Sequence, residues 1–177
     1  MTIIETGIRA FLATVFAWAA LSKLRSRAGR RQFREYLVYL LRVTGPQAAR
    51  LAAPLVSVEL CIPLLLALDA TATAGLVVAC ALNVALLGAV LFAVRTSRTK
   101  PCRCFGDTSA SVGMWQVLRN FALLLLSLLG LTLSLGSAPS SADISSWPAA
   151  AGFGIMAALL LMAGEKVRDL FHDADPA

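Results

Sequence analysis

Charged residues are scarce in this sequence, and so are long polar stretches. Only 15% of the 177 residues are charged, 58% are hydrophobic, and the mean hydropathy is +0.76. A soluble domain of this length needs a more polar surface than this composition provides. The composition therefore excludes a soluble catalytic domain and predicts a small integral membrane protein.

The chain contains a single histidine, His172. A Cys–His catalytic pair or a histidine-based metal site would lack its second member. The sequence also lacks nucleic-acid-binding motifs, so its net charge of +6 is interpreted as a signal of membrane topology. The start, MTIIETGIR, has neither the basic region nor the cleavage site of a signal peptide, and we expect the first apolar run to remain as a membrane anchor.

Five apolar runs approach the roughly 20 residues that a helix needs to cross a membrane. They predict an all-α polytopic bundle, with a four-helix core and a fifth span, in one integral membrane domain over residues 1–177. The runs are residues 3–22, 51–68, 71–94, 115–135 and 147–164. Residues 33–43 are too few to span, and their helical stripe of apolar side chains predicts an interfacial amphipathic helix.

The positions of the basic residues predict the orientation. Eight Lys and Arg residues lie between spans one and two, four between spans three and four and two in the tail, whereas the two opposite loops contain none. Positively charged loops are retained in the cytoplasm. We therefore expect an N-terminus outside, a C-terminus inside and a cytoplasmic loop between spans three and four.

Polar residues inside the predicted spans are candidates for pairing, because an isolated charge in the bilayer is costly. Glu59 lies in the middle of span two, and Arg119 and Asn120 lie about one turn into span four. Glu59 and Arg119 differ in predicted depth by roughly 5 Å at 1.5 Å per residue, which predicts a Glu59–Arg119 ion pair. The alternative is that Glu59 pairs with Arg9 or Lys23 and serves only helix packing.

An amide in span three is a further polar candidate. Asn83 is expected to hydrogen-bond across the bundle as a helix–helix contact.

The loop KPCRCFGD, residues 100–107, places Cys102 and Cys104 one residue apart among cations. Lys100, Arg103 and Arg119 favour thiolate over thiol, which makes a cysteine reactive. A disulfide between residues this close in sequence closes a small strained ring, and strained disulfides are readily reduced and exchanged. The pattern indicates a redox pair.

Two other interpretations of this loop remain open. The cysteines are either inert neighbours or two thiolate ligands of a soft metal such as Cu(I) or Zn, for which one loop offers too few further ligands. Cys61 and Cys80 lie within apolar spans and are expected to be packing residues, with Cys61 pointing away from Glu59.

Four short motifs occur in a characteristic order. ALSK ends span one, VEL lies in span two, CRCFG follows span three, and VLRN opens span four. In this pattern the sequence resembles the methylamine-utilisation protein MauE family, within the wider MauE/DoxX group of redox-associated membrane proteins. The resemblance covers roughly residues 8–136, and CRCFGD followed by WQVLRN is its most specific element.

The resemblance implies a DoxX-like bundle of four spans, often more in MauE-like members. It also implies thiol–disulfide chemistry that supports maturation of a partner protein, commonly alongside a thioredoxin-like protein. Cys102 and Cys104 would be the redox pair, supported by polar positions Lys23, Glu59, Arg119 and Asn120, with Arg103 between the cysteines. The function of MauE-like proteins is associated with disulfides in exported proteins, whereas the charge distribution here predicts that Cys102 and Cys104 lie on the cytoplasmic side.

The leading hypothesis is a thiol–disulfide redox protein of the cell (inner) membrane, which would be a thiol–disulfide oxidoreductase if it is an enzyme. Its expected partners are membrane lipid and a thioredoxin-like or other redox protein. The motifs predict no cofactor, although they do not exclude that the protein binds a quinone or a soft metal ion. The alternative is a non-catalytic assembly module that docks a redox partner through residues 33–43. A transporter is disfavoured because no internal repeat or broken-helix pair is evident.

The predicted orientation is testable by side-specific labelling. A membrane-impermeant maleimide should label Cys102 in inside-out vesicles and not in intact cells, because the charge distribution places this loop in the cytoplasm. Detergent-opened cells serve as the control for reagent activity. Labelling of Cys102 in intact cells would show that the orientation is inverted.

Overall fold

The described part of the protein is a bundle of α-helices. The structure is a computed structural model and describes residues 3–95, 114–136 and 147–172. No strand occurs among these residues, which confirms the all-α prediction. The elements are α1 (Ile3–Arg25), α2 (Arg27–Leu41), α3 (Gly45–Ala67), a short 3₁₀ turn (Asp69–Thr71), α4 (Ala72–Arg95), α5 (Met114–Gly136) and α6 (Trp147–His172).

Four of these helices are long and apolar enough to cross a membrane: α1, α3, α4 and α5. Helix α6 adds a shorter apolar segment, Pro148–Gly164. The chain is therefore a multi-pass membrane protein. Helix α3 starts at Gly45, ahead of the predicted residue 51, because the backbone N–H of Thr44 donates to Gln47 Oε1 at 3.0 Å and caps the extra turn.

Helix α2 is longer than the predicted segment 33–43. It starts at Arg27, because Ser26 is the N-cap and its Oγ accepts the backbone N–H of Gly29 at 2.8 Å. Its last residue is Leu41, and Arg42 follows in a left-handed conformation with φ 54°. The arginine-rich stretch after α1 is therefore part of the amphipathic helix.

Helix α1 is the centre of the bundle, since it packs against α2, α3, α5 and α6. It has the lowest hydropathy of the four candidate spans and the largest buried share. Leu12, Phe16 and Ala20 are almost completely buried. The most polar span is thus the one best shielded from lipid, as expected for a helix that carries charged side chains.

The contacts define the direction of each helix. Thr73 and Ser134 hydroxyls lie 2.8 Å apart, and Asn83 binds Ser127, so α4 and α5 are antiparallel. Helices α1 and α3 are also antiparallel, because Arg9 contacts Leu66 and Lys23 contacts Glu59.

Helix α6 runs parallel to α1, with Gly7 beside Ala150 and Phe11 beside Gly154. The C-terminal end of α1, the N-terminal half of α3, the C-terminal end of α4 and the N-terminal end of α5 consequently meet on one side. We call this side, which contains Lys23, α2, Arg95 and Met114, the basic end.

Small residues allow α1 and α6 to approach closely. Ala150, Gly154 and Ala158 recur every four residues on α6 and are all buried. A Cβ atom on Gly154 would lie 2.3 Å from the carbonyl oxygen of Gly7 and 3.0 Å from the backbone nitrogen of Phe11. This is the close backbone contact that small residues permit between membrane helices.

The α1–α6 contact predicts an effect of adding one methyl group. Gly154→Ala should destabilise the protein by about 1–3 kcal/mol, because the clash is with backbone atoms that have little room to move. The matched control is Gly152→Ala on the same helix, where an added Cβ meets nothing within 4 Å. Thermal unfolding in detergent compares the two, and equal stability would refute the close-contact interpretation.

Candidate functional site

A buried ion pair joins α1 and α3 near the basic end. Lys23, in the last turns of α1, donates from Nζ to Oε1 of Glu59. The two side chains are 4% and 2% exposed. Each charge is therefore paired, as it must be, because an unpaired charge would be strongly unfavourable at a buried position.

An aromatic ring covers the lysine. Nζ of Lys23 lies 4.7 Å from the centroid of the Phe33 ring, a cation–π distance. Phe33 packs with Leu37 and Ala48 in a small cluster between α2 and α3. The interfacial helix is thereby attached to the ion pair, although Phe33 was predicted only as part of an apolar stripe.

The predicted Glu59–Arg119 pair is wrong, and Lys23, the alternative partner, is correct. The prediction compared only the depths of Glu59 and Arg119 in the membrane. The sequence does not show which helices are neighbours around the bundle. Helix α3 packs against α1, α2 and α4, whereas α5 packs mainly against α4 and α1. Arg119 is half-buried on α5, and Asn120 is 3% exposed on the face that also buries Ser127.

A second charged contact lies at the opposite end of α1. Arg9 donates to the carbonyl oxygen of Leu66 from Nε at 3.1 Å and from Nη2 at 2.7 Å. Its Nη2 also lies 3.0 Å from Asp69. The sequence suggested Glu5, four residues earlier on the same helix, and Glu59 as partners for Arg9, and it did not suggest Asp69. Asp69 lies in the short turn after span two, at the same end of the bundle as Arg9.

The predicted role of Asn83 is confirmed. Its Nδ2 donates to Ser127 Oγ at 3.0 Å, and that hydroxyl donates to the carbonyl oxygen of Leu123 at 2.8 Å. Asn83 and Ser127 are fully buried. This polar contact joins α4 and α5 in the way expected of membrane helices.

The C-x-C motif, Cys102, Arg103 and Cys104, lies outside the described residues. The helices on either side are described: α4 ends at Arg95 and α5 begins at Met114, both at the basic end.

The two cysteines inside the spans are free thiols. Cys61 is exposed on α3, away from buried Glu59, as predicted, and Cys80 is half-buried on α4. Within the described ranges, no group of three or more His, Cys, Asp or Glu side chains is placed to hold a metal ion.

The ion pair predicts a strong penalty for removing one partner. Lys23→Met should destabilise the protein by about 3–5 kcal/mol, because Glu59 stays buried without its counter-charge. The double variant Lys23→Met, Glu59→Leu should recover most of this loss, since a matched apolar pair avoids the buried charge. Thermal unfolding in detergent measures both.

An exposed ion pair provides the matched control. Arg31 Nε lies 2.8 Å from Glu35 Oε1 on α2, with both side chains largely exposed. Arg31→Met should change stability little, because water screens exposed pairs. Equal stability of Lys23→Met and the Lys23/Glu59 double variant would show that the buried charge is not the cause.

Comparison with known proteins identifies the family. The family model of the methylamine utilisation protein MauE matches residues 1–133, which is most of the chain and includes the Lys23–Glu59 pair and the C-x-C motif. Searches of curated proteins and of solved structures found no match. The resemblance found in the sequence motifs is confirmed, and the chain belongs to the family of the methylamine utilisation protein MauE.

Proposed function

We propose that this protein is a membrane thiol–disulfide redox protein in which Cys102 and Cys104 alternate between dithiol and disulfide. The observation that carries the proposal is the C-x-C pair in a chain of the MauE family. The flanking helices support it, because α4 ends and α5 begins at the basic end, where most of the Lys and Arg residues of the sequence lie. Cations favour the thiolate, which is the reactive form in exchange.

The proposed reaction is a two-step exchange with a partner protein. The thiolate of one cysteine attacks a disulfide sulfur of the partner, forms a mixed disulfide and releases one partner thiol. The second cysteine then attacks the mixed disulfide, which frees the other partner thiol and leaves a Cys102–Cys104 disulfide. Two electrons and two protons pass to the partner, and the reverse reaction forms a disulfide in the partner.

The bundle has a supporting role in this proposal. The Lys23–Glu59 pair fixes α1 and α3 at the basic end, while Asn120 and Arg119 lie one to two turns into α5, after the C-x-C segment. We place the basic end at the cytoplasmic face of the inner membrane, in accordance with the charge distribution. The partner is proposed to be a thioredoxin-like or other redox protein acting at that face.

The redox proposal is tested by counting thiols. In a Cys61→Ser, Cys80→Ser background only the motif cysteines remain, and mass-tagging maleimide should add two tags after reduction and none after oxidation. The Cys102→Ser, Cys104→Ser variant should abolish disulfide exchange with the partner. The Cys61→Ser, Cys80→Ser protein is the matched control and should retain that exchange.

Two outcomes would contradict the proposal. One is that the motif cysteines keep the same tag number under both conditions. The other is that the Cys102→Ser, Cys104→Ser variant supports partner maturation normally. Normal maturation without the motif cysteines, combined with loss of partner binding in a Tyr36→Asp variant, would favour the assembly module.

A further inference from the structure

A cavity of about 520 Å³ lies at the basic end between α1, α2 and α3. Its lining residues all belong to α1, α2 and α3, and none of them belongs to the segment between α4 and α5 that contains the C-x-C motif. Its lining comes from the end of α1 (Lys23, Leu24), from α2 (Arg30, Phe33, Arg34) and from α3 (Ala49, Ala52, Ala53, Val56, Ser57, Leu60).

The α1 and α2 side of this cavity is cationic. Among the described residues, no acidic side chain lines it. Lys23 is already neutralised by Glu59, and Arg30 uses Nη1 to donate to the carbonyl oxygen of Leu24 at 2.7 Å. Arg34 is exposed and makes no hydrogen bond or ion pair with any described residue. Arg34 and the remaining N–H groups of Arg30 are therefore available to an anion.

The nearby acid on α2 does not compete for these arginines. Glu35 is paired with Arg31, and neither residue lines the cavity. The cavity thus keeps a local excess of positive charge.

The α3 side of the cavity is apolar apart from Ser57, whose hydroxyl donates to the carbonyl oxygen of Ala53 at 3.0 Å. Its lining residues recur every three or four positions from Ala49 to Leu60, which makes one continuous stripe on the helix. Three of them are alanines, whose small side chains leave the space open. The stripe extends roughly 16 Å along the helix axis, about half of the roughly 30 Å hydrocarbon core. That length corresponds to one leaflet.

We propose that this cavity binds an anionic phospholipid from the leaflet at the basic end. The phosphate lies against Arg30 and Arg34, where planar guanidinium groups are suited to bind it through paired hydrogen bonds. An acyl chain lies along the alanine-lined stripe of α3. A soluble anion would leave the apolar wall without a contact, and a lipid without net negative charge would leave the positive charge of the two arginines only partly neutralised.

A second groove provides an internal comparison. It has a volume of about 630 Å³ and lies between α1, α5 and α6, where every lining residue is apolar or glycine, among them Phe11, Leu126 and Phe153. A lipid in this groove would find no charged or polar side chain in the lining to bind its head group. The preference for an anionic head group therefore belongs to the cavity beside α2.

Native mass spectrometry of the purified full chain tests the proposal. The protein is titrated with phosphatidylglycerol and with phosphatidylcholine of identical acyl chains. We expect the first bound phosphatidylglycerol to have an apparent affinity at least about tenfold higher. Both lipids carry a phosphate, but the quaternary ammonium of phosphatidylcholine offsets the phosphate charge beside Arg30 and Arg34, whereas phosphatidylglycerol keeps a net negative charge. Inorganic phosphate, added at millimolar concentration, should fail to displace it.

Charge-matched variants localise the site. Arg30→Gln with Arg34→Gln should reduce the preference for phosphatidylglycerol by about tenfold. The control, Arg27→Gln with Arg50→Gln, removes the same charge from exposed arginines that do not line the cavity and should leave the preference within about twofold of wild type. Ala53→Phe, at an exposed position of the stripe, should weaken the binding of this lipid while the helix remains folded.

Four results would overturn the proposal. Equal affinity for the two lipids would show that the net negative charge of the head group does not contribute to binding. An equal loss of preference in the Arg27/Arg50 control variant would show that the preference depends only on the net charge of the protein. Displacement by inorganic phosphate, or full binding by Ala53→Phe, would indicate a simple anion site without an acyl-chain groove.

Discussion

The contact between Lys23 and Glu59 constrains how α1, α2 and α3 meet. A charged side chain is tolerated in the apolar interior only beside its counter-charge, so this contact constrains the rotation and relative depth of α1 and α3 at the basic end. The contact of Arg9 with Leu66 adds a second constraint at the opposite end. Phe33 lies on the same ammonium group and extends the constraint to α2. An apolar pair would pack these helices with comparable stability but would favour no single register, and we infer that the ion pair mainly specifies the arrangement.

The central position of α1 follows from the same requirement. This helix carries Arg9 near one end and Lys23 near the other, and four helices surround it so that neither charge contacts lipid. On the side that faces α6, α1 packs closely because Gly154 of α6 has no side chain and lies directly against the backbone of α1 at Gly7. Polar pairing on one side of α1 and small residues on the other thus produce one compact arrangement of helices.

Sequence reasoning predicted those features that depend on local chemistry. The spans were found because their length and hydropathy are local properties, and the role of Asn83 was found because a buried amide needs a hydrogen-bond partner. The start of α2 was missed because Ser26, a strong N-cap, lies within an arginine-rich stretch that was interpreted only by its charge. The partner of Glu59 was missed because the order of helices around a bundle depends on contacts distant in sequence, and equal depth does not make two helices neighbours.

Burial separates the residues of the basic end by the role each is able to have. Lys23 and Glu59 are buried and therefore inaccessible to a partner protein, so in the proposed exchange they would act only through the positions of the helices. Arg30 and Arg34 are exposed and are available to molecules from the membrane interface. A lipid bound there contacts α2 and α3, the helices already joined by Phe33, Leu37 and Ala48. If the proposed lipid binds, the lipid composition of the membrane would affect the stability of the α2–α3 contact, at the same end where α4 ends and α5 begins.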